Sequence, residues 1–243
     1  MRLSTRLAAE GIGSLLLAAT VVGSGIMAER LAAGNTAVAL LANTGATVAV
    51  LATLIGLLGP ISGAHFNPAV SAIQAIRKAL PWHEVGLYAV LQVAGCCLGA
   101  LLAHAMFELP LIQSSVHMRT GVSQWLAEAV ATFGLLLVVL GHRRAEDAPW
   151  MVAGWIGAAY WFTASTSFAN PAITIARSLS DTFAGIRPVD VPAFIAAQFA
   201  GALVALLVAR LLFAGHEPSA VGASKIADPA EVGRVAARPQ GQI

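Results

Sequence analysis

Two Asn-Pro-Ala tripeptides, Asn67-Pro68-Ala69 and Asn170-Pro171-Ala172, occupy corresponding places in two apolar halves of this 243-residue chain. Asparagine is a good helix N-cap, and proline is favoured at the first helical position. Each tripeptide therefore predicts the start of a helix whose cap uses the Asn side-chain oxygen and leaves amide donors free. Two acids, Glu10 and Glu128, lie in otherwise apolar runs. Such acids are functional candidates because charge is costly inside a membrane. Two glutamines repeat as Gln92-Val93-Ala94-Gly95 and Gln198-Phe199-Ala200-Gly201. Paired donors in a greasy chain suggest a polar path where two repeats meet.

The elements that must carry these groups follow from composition. Hydrophobic residues make up 58% of the chain and charged ones 11%, against about 25% charged in soluble domains. Mean hydropathy is +0.77. The expected fold is an all-α membrane protein with spans at 8–29, 36–58, 84–107, 122–141, 149–168 and 191–213. The runs do not alternate as barrel strands would. The charge-free stretch from Leu31 to Ile76 would be about 69 Å long as one helix, over twice the hydrocarbon thickness. Gly59-Pro60 is expected to break it, so that the segment from Gly63 to Lys78 dips in and returns. A second dipping segment is expected from Asn170, after the turn Thr163 to Ser167. Two repeats, 8–107 and 122–213, each carry the order Glu, Asn-Pro-Ala, Gln-x-Ala-Gly. Three spans per half invert the second half relative to the first.

Placing both termini in the cytoplasm puts Arg2, Arg6, Arg77, Lys78, Arg143, Arg144, Arg210, Lys225, Arg234 and Arg238 inside. Only Arg30, Arg119, Arg177 and Arg187 are then outside, in agreement with the positive-inside rule. Trp82, Trp125 and Trp150 fall at expected interfaces. One channel domain, 1–215, is followed by a polar tail, 216–243, expected to be disordered.

The chain resembles the aquaporin and aquaglyceroporin channels of the major intrinsic protein family. The resemblance is carried by Ser62-Gly63-Ala64-His65-Phe66-Asn67-Pro68-Ala69-Val70, by Asn170-Pro171-Ala172 and by Glu10, Glu128, Gln92 and Gln198. It implies six tilted helices, two half-helices meeting at the midplane, and one pore per subunit of a homotetramer in the lipid bilayer. The half-helix termini would oppose cations and protons while donating to water or a neutral solute. Glu10 and Glu128 would scaffold the dipping loops by accepting their hydrogen bonds, with a proton relay as the other reading. His65 is either a loop hydrogen-bonding group or a pore-facing ring.

The family's narrowest point usually holds an arginine directly after the second Asn-Pro-Ala. Here that position is Ile173. Registered from the motifs, its companions are Thr47, Ala158 (Gly157 if the register slips by one) and Ser167, a small and weakly polar ring. Family resemblance then favours polyols or metalloid acids such as arsenous acid over strict water selectivity. A water-selective channel and an ion-coupled transporter are the alternatives. Arg177, one turn beyond Ile173, lines an outer vestibule, snorkels to the interface or pairs with Asp181. The adjacent Cys96 and Cys97 read as packing residues, and His104 as interfacial. Nothing in the spacing supports an enzyme, a metal site, a cofactor or nucleic-acid binding. The short-looped, Ala-rich chain suggests a bacterial inner membrane.

Overall fold

The computed structural model describes residues 1–213; the expected tail, 216–243, lies outside the described residues. The helices run in the order α1 (Leu3–Leu31), α2 (Thr36–Ser62), α3 (Pro68–Ile76), α4 (Trp82–Met106), α5 (Val122–Gly141), α6 (Ala148–Phe162), α7 (Pro171–Arg177) and α8 (Val191–Leu212). Helices α1, α2, α4, α5 and the stretch Pro188–Leu212 are long and apolar enough to cross a membrane. Helices α3 and α7 are the two dipping segments, and each begins at the proline of an Asn-Pro-Ala.

Two expected boundaries move. Helix α2 continues through Pro60 to Ser62. The proline removes one backbone donor from the ladder without ending the helix. The stop is Gly63, whose φ of 92° closes a left-handed cap on Gly59 O, a conformation that favours glycine. Helix α6 ends at Phe162, well short of 168, as Thr163 turns extended. Thr166, Ser167 and Ala169 then take positive φ, which folds the chain back toward the second Asn-Pro-Ala. At 15 residues, α6 is about 22 Å long, shorter than the hydrocarbon core.

Packing repeats between the halves. Helix α1 crosses α4, and α5 crosses α8. A Cβ on Gly95 would run into Gly11 O, and one on Gly201 into Ala129 O, so the backbones touch as small residues allow in membrane bundles. The Phe66 ring fills the space over Gly13, and the Trp155 indole that over Gly134. Each half-helix also packs against the last long helix of the other half, α3 on α8 and α7 on α4. The apolar core accordingly runs across both repeats, from Leu17 and Val22 through Ile73 to Leu136 and Ala172. Leu41, Leu57, Val90, Leu126 and Leu207 are exposed on the outer faces, as lipid-facing positions would be. Trp82 and Trp150 are also exposed, near the starts of α4 and α6.

Candidate functional site

The two Asn-Pro-Ala motifs lock onto each other. Asn67 Oδ1 accepts from Ala69 N at 2.9 Å. Asn170 Oδ1 accepts from Ala172 N at 2.9 Å and from Ile173 N at 3.4 Å. The amides then cross: Asn67 Nδ2 donates to Ala169 O at 2.8 Å, and Asn170 Nδ2 to Phe66 O at 2.7 Å. The capping follows the sequence expectation, but the amides are not wholly free. One hydrogen of each joins the opposite loop, and one remains for the conduit.

Glu10 and Glu128 hold those loops. Glu10 Oε1 accepts from Ser62 Oγ and His65 N, and its Oε2 from Phe66 N and Gln92 Nε2. Glu128 accepts from Phe168 N, Ala169 N and Gln198 Nε2. Both acids are fully buried. The loops need such anchors because Ala64, Phe66, Ser167 and Ala169 all have φ between 47° and 52°, strained for residues with a Cβ. The geometry favours loop scaffolding over a proton relay: these carboxylates are ringed by donors that fix them.

A cavity of about 1280 Å³ lies along the helices, between the two halves. Met1, Arg6 and Arg77 line its N-terminal mouth, His65, Asn67 and Asn170 its middle, and Arg177 its opposite end. Much of the wall between is apolar, including Leu17, Val21, Leu51, Val70, Leu135 and Ile156. His65 is half-buried. Its backbone N–H reaches Glu10, and its Nδ1 lies 3.0 Å from Ser71 Oγ. Gln92 Nε2 donates to the same hydroxyl, at 3.0 Å. His65 thus stands in the anchored loop and lines the conduit.

Thr47, Ser167 and Ile173 line the cavity and are almost fully buried. Ala158 does not: it is exposed on the outer side of α6, and Gly157 packs toward Val48 of α2. The α6 residues lining the cavity are Ala148, Pro149, Val152, Ile156 and Tyr160, of which Ala148, Val152, Ile156 and Tyr160 are spaced four apart as one helix face requires. Tyr160, which counting from the motifs missed, occupies the place assigned to Ala158. Its hydroxyl meets Thr47 Oγ1 at 3.3 Å. The ring is therefore not uniformly small: it contains one phenol. The period-four row was the available signal.

Arg177 faces the cavity at 3% exposure. It neither snorkels nor pairs with Asp181, whose carboxylate instead accepts from Val116 N. Arg177 Nε donates to Ala184 O, and its Cζ lies 3.3 Å from the Phe168 ring centroid. Arg119, which sequence reading placed only as an outer charge, also stacks on Phe168, at 5.0 Å. It donates to Gly185 O and Ser165 O. Burial lowers its pKa to about 10, so it stays charged at neutral pH. His104 is fully buried rather than interfacial; its ring nitrogens meet Leu111 O and Ser180 Oγ at 2.8 and 2.9 Å. Arg119 and His104 thus fasten the loop that carries Ala184.

Two half-helices joined at their caps, buried carboxylate anchors and a long polar-edged cavity define a multi-pass membrane channel, not an enzyme. The major intrinsic protein family model matches residues 1–157. An aquaglyceroporin, AqpS of Rhizobium meliloti, is 51% identical over 89% of this chain and 93% of its own length. Aquaporin AqpM of Methanothermobacter marburgensis is 31% identical over 86% and 98%. The aquaglyceroporin structure from Plasmodium falciparum superposes with a TM-score of 0.68 at 16% identity, covering 88% of this chain and 98% of that one, which shows the fold alone. The chain belongs to the major intrinsic protein family and is a channel for small neutral solutes.

Proposed function

We propose that the channel passes polyols, metalloid acids of the arsenous acid type, or both, with some water, while excluding ions and protons. The observation that carries this reading is Ile173 in the ring, where the resembling water and glycerol channels hold a guanidinium. An isobutyl-sized apolar wall beside Thr47 and Ser167 withdraws a fixed cation from the first turn of α7. A compact uncharged solute then has less to displace. The aquaglyceroporin name of the Rhizobium meliloti relative points the same way. Exclusion of cations is supported by Arg77 and Arg177 along the cavity, because fixed cations repel cations where the wall is apolar; Arg6 is paired with Glu84. Arg177 serves as the outer vestibule cation in this reading.

Tyr160 favours a second reading, a water-selective channel, because a phenol narrows the ring. Stopped-flow light scattering on proteoliposomes decides between them. Fast glycerol entry relative to empty vesicles supports the first reading and calls for arsenous acid next. Fast water efflux without glycerol entry supports the second.

In our reading the protein is a homotetramer of single-domain subunits in a bacterial inner membrane, with both termini cytoplasmic. The charge bias of the loops supports that orientation, and the exposed apolar helix faces suit both lipid and subunit contact. The Arg177 mouth then opens to the outside.

A further inference from the structure

Arg177 is a buried cation that the described residues leave without a counter-charge. It is 3% exposed, yet it lines the cavity. Its Nε is taken by Ala184 O, and a face of its guanidinium by the Phe168 ring. Its two Nη groups make no hydrogen bond among the described residues, and the ion pairs found there do not include it. Asp181, the nearest acid along the chain, accepts from Val116 N instead.

The surroundings add charge of the same sign. Arg119 stacks on the same phenyl ring and donates to two backbone carbonyls, which carry no net charge. The ionised groups within electrostatic reach of Arg177 are Arg119 and Glu128. Both Glu128 oxygens are engaged by Phe168 N, Ala169 N and Gln198 Nε2. Two guanidiniums therefore share one carboxylate that pairs with neither. The phenyl ring attracts both cations through its quadrupole but neutralises neither. His117, which burial and the two arginines hold below its ordinary value, is neutral at pH 7 and adds nothing. One positive charge is left in excess at the end of a largely apolar cavity, the setting in which counter-ions concentrate.

We propose that Arg177 seats a small, flat, singly charged oxyanion of the nitrate or carboxylate type in the outer vestibule. With Nε and a ring face engaged, the guanidinium presents the edge formed by its two Nη groups. That edge carries two parallel N–H donors, which match two oxygens of a planar anion. Ala184 and Phe168 already hold the side chain, so little freedom is lost on binding. A single negative charge balances the excess, and a halide meets the charge without the paired oxygens. The anion goes no further, because Ile173, one turn inward, offers no donor to replace the water that an anion must shed. An occupied seat therefore obstructs the conduit. The inference goes beyond the neutral-solute reading and holds whichever neutral solute passes.

Nitrate is the probe, because it stays ionised and has no neutral form to cross the bilayer. The full chain is melted in detergent as nitrate replaces chloride at constant ionic strength. The melting temperature should rise by a few degrees and saturate, with a midpoint of about 1–10 mM, the range expected of one charge-assisted fork. In proteoliposomes with nitrate on both sides, water efflux should fall at least twofold with the same midpoint. Arg177→Gln should raise the midpoint by about tenfold or more in both measurements, the loss of a charged hydrogen-bonding partner. Arg177→Lys keeps the charge without the paired edge and should lose the preference for nitrate over chloride. No saturable response of the unaltered protein below about 100 mM overturns the seat, and this measurement stands even if the variants do not fold. An Arg177→Gln variant that responds like the unaltered protein also overturns it. Saturable stabilisation with undiminished water efflux puts the anion outside the conduit and overturns it too. Water is the readout because both readings of the conduit pass it. A channel that passes no glycerol would sink the polyol preference and leave this test intact.

Discussion

Glu128 is bound on both of its oxygens. Three N–H donors converge on its two oxygens, and Glu10 receives four donors. A glutamine in either place keeps one acceptor and turns an N–H group toward other N–H groups. The loss is roughly 1.5–3 kcal/mol for each charged hydrogen bond not replaced. Glu10→Gln and Glu128→Gln should each lower the yield of folded protein and its melting temperature in detergent. Permeability per folded channel should stay near that of the unaltered protein. A variant of normal abundance with altered proton flux would instead make these acids carriers. Such residues are legible in sequence because acid, amide and Asn-Pro-Ala recur in the same order in both halves. Tyr160 was not legible by that route. Counting from motifs assumes equal loop lengths, whereas α6 ends at Phe162 and shifts the register by two residues.

Among the elements, the crossings α1–α4 and α5–α8 set how close the half-helices can come. A methyl on Gly201 would meet the Ala129 carbonyl, which is backbone and cannot swing away. Gly201→Ala should destabilise by about 1–3 kcal/mol, the usual cost of overpacking, seen as a lower melting temperature. Gly154→Ala, with nothing within 4 Å of the added carbon, should be silent and serves as the control. The loop between α4 and α5 should respond to pH. Burial first, then Arg119 and Arg177, push the His117 imidazole below its ordinary value, while Asp181 and Glu29 pull the other way. Above about pH 6.5 His117 is neutral in both folded and unfolded chains and contributes nothing. Below that value the unfolded chain takes up a proton that the folded chain resists, so stability declines as pH falls. His117→Asn should flatten the decline in melting temperature between pH 7.5 and 5.5. Element positions were largely legible, since 122–141 and the start of α2 coincide with apolar runs. The end of α2 was not, because proline marks a weak point, whereas the αL glycine three residues later makes the stop.

At the scale of the whole molecule, the architecture separates passage from coupling. A coupled transporter needs a titratable or ion-binding group that changes partners as the protein alternates. Here the two buried intramembrane acids are tied to the half-helix loops, and those loops are tied to each other through Asn67 and Asn170. Moving either acid would dismantle the conduit rather than transfer an ion across it. The packing of α3 on α8 and α7 on α4 also braces each half with the other, which opposes the rocking of one repeat against its mate that alternating access requires. The channel should therefore conduct by diffusion through a standing path. In proteoliposomes, solute entry should rise linearly with its gradient well into the hundred-millimolar range. It should be equal in both directions at matched gradients, and unchanged by an imposed proton or sodium gradient or by an ionophore that collapses one. Accumulation of solute above the external concentration when a proton gradient is imposed would contradict this account, because fixed acids cannot harvest that gradient.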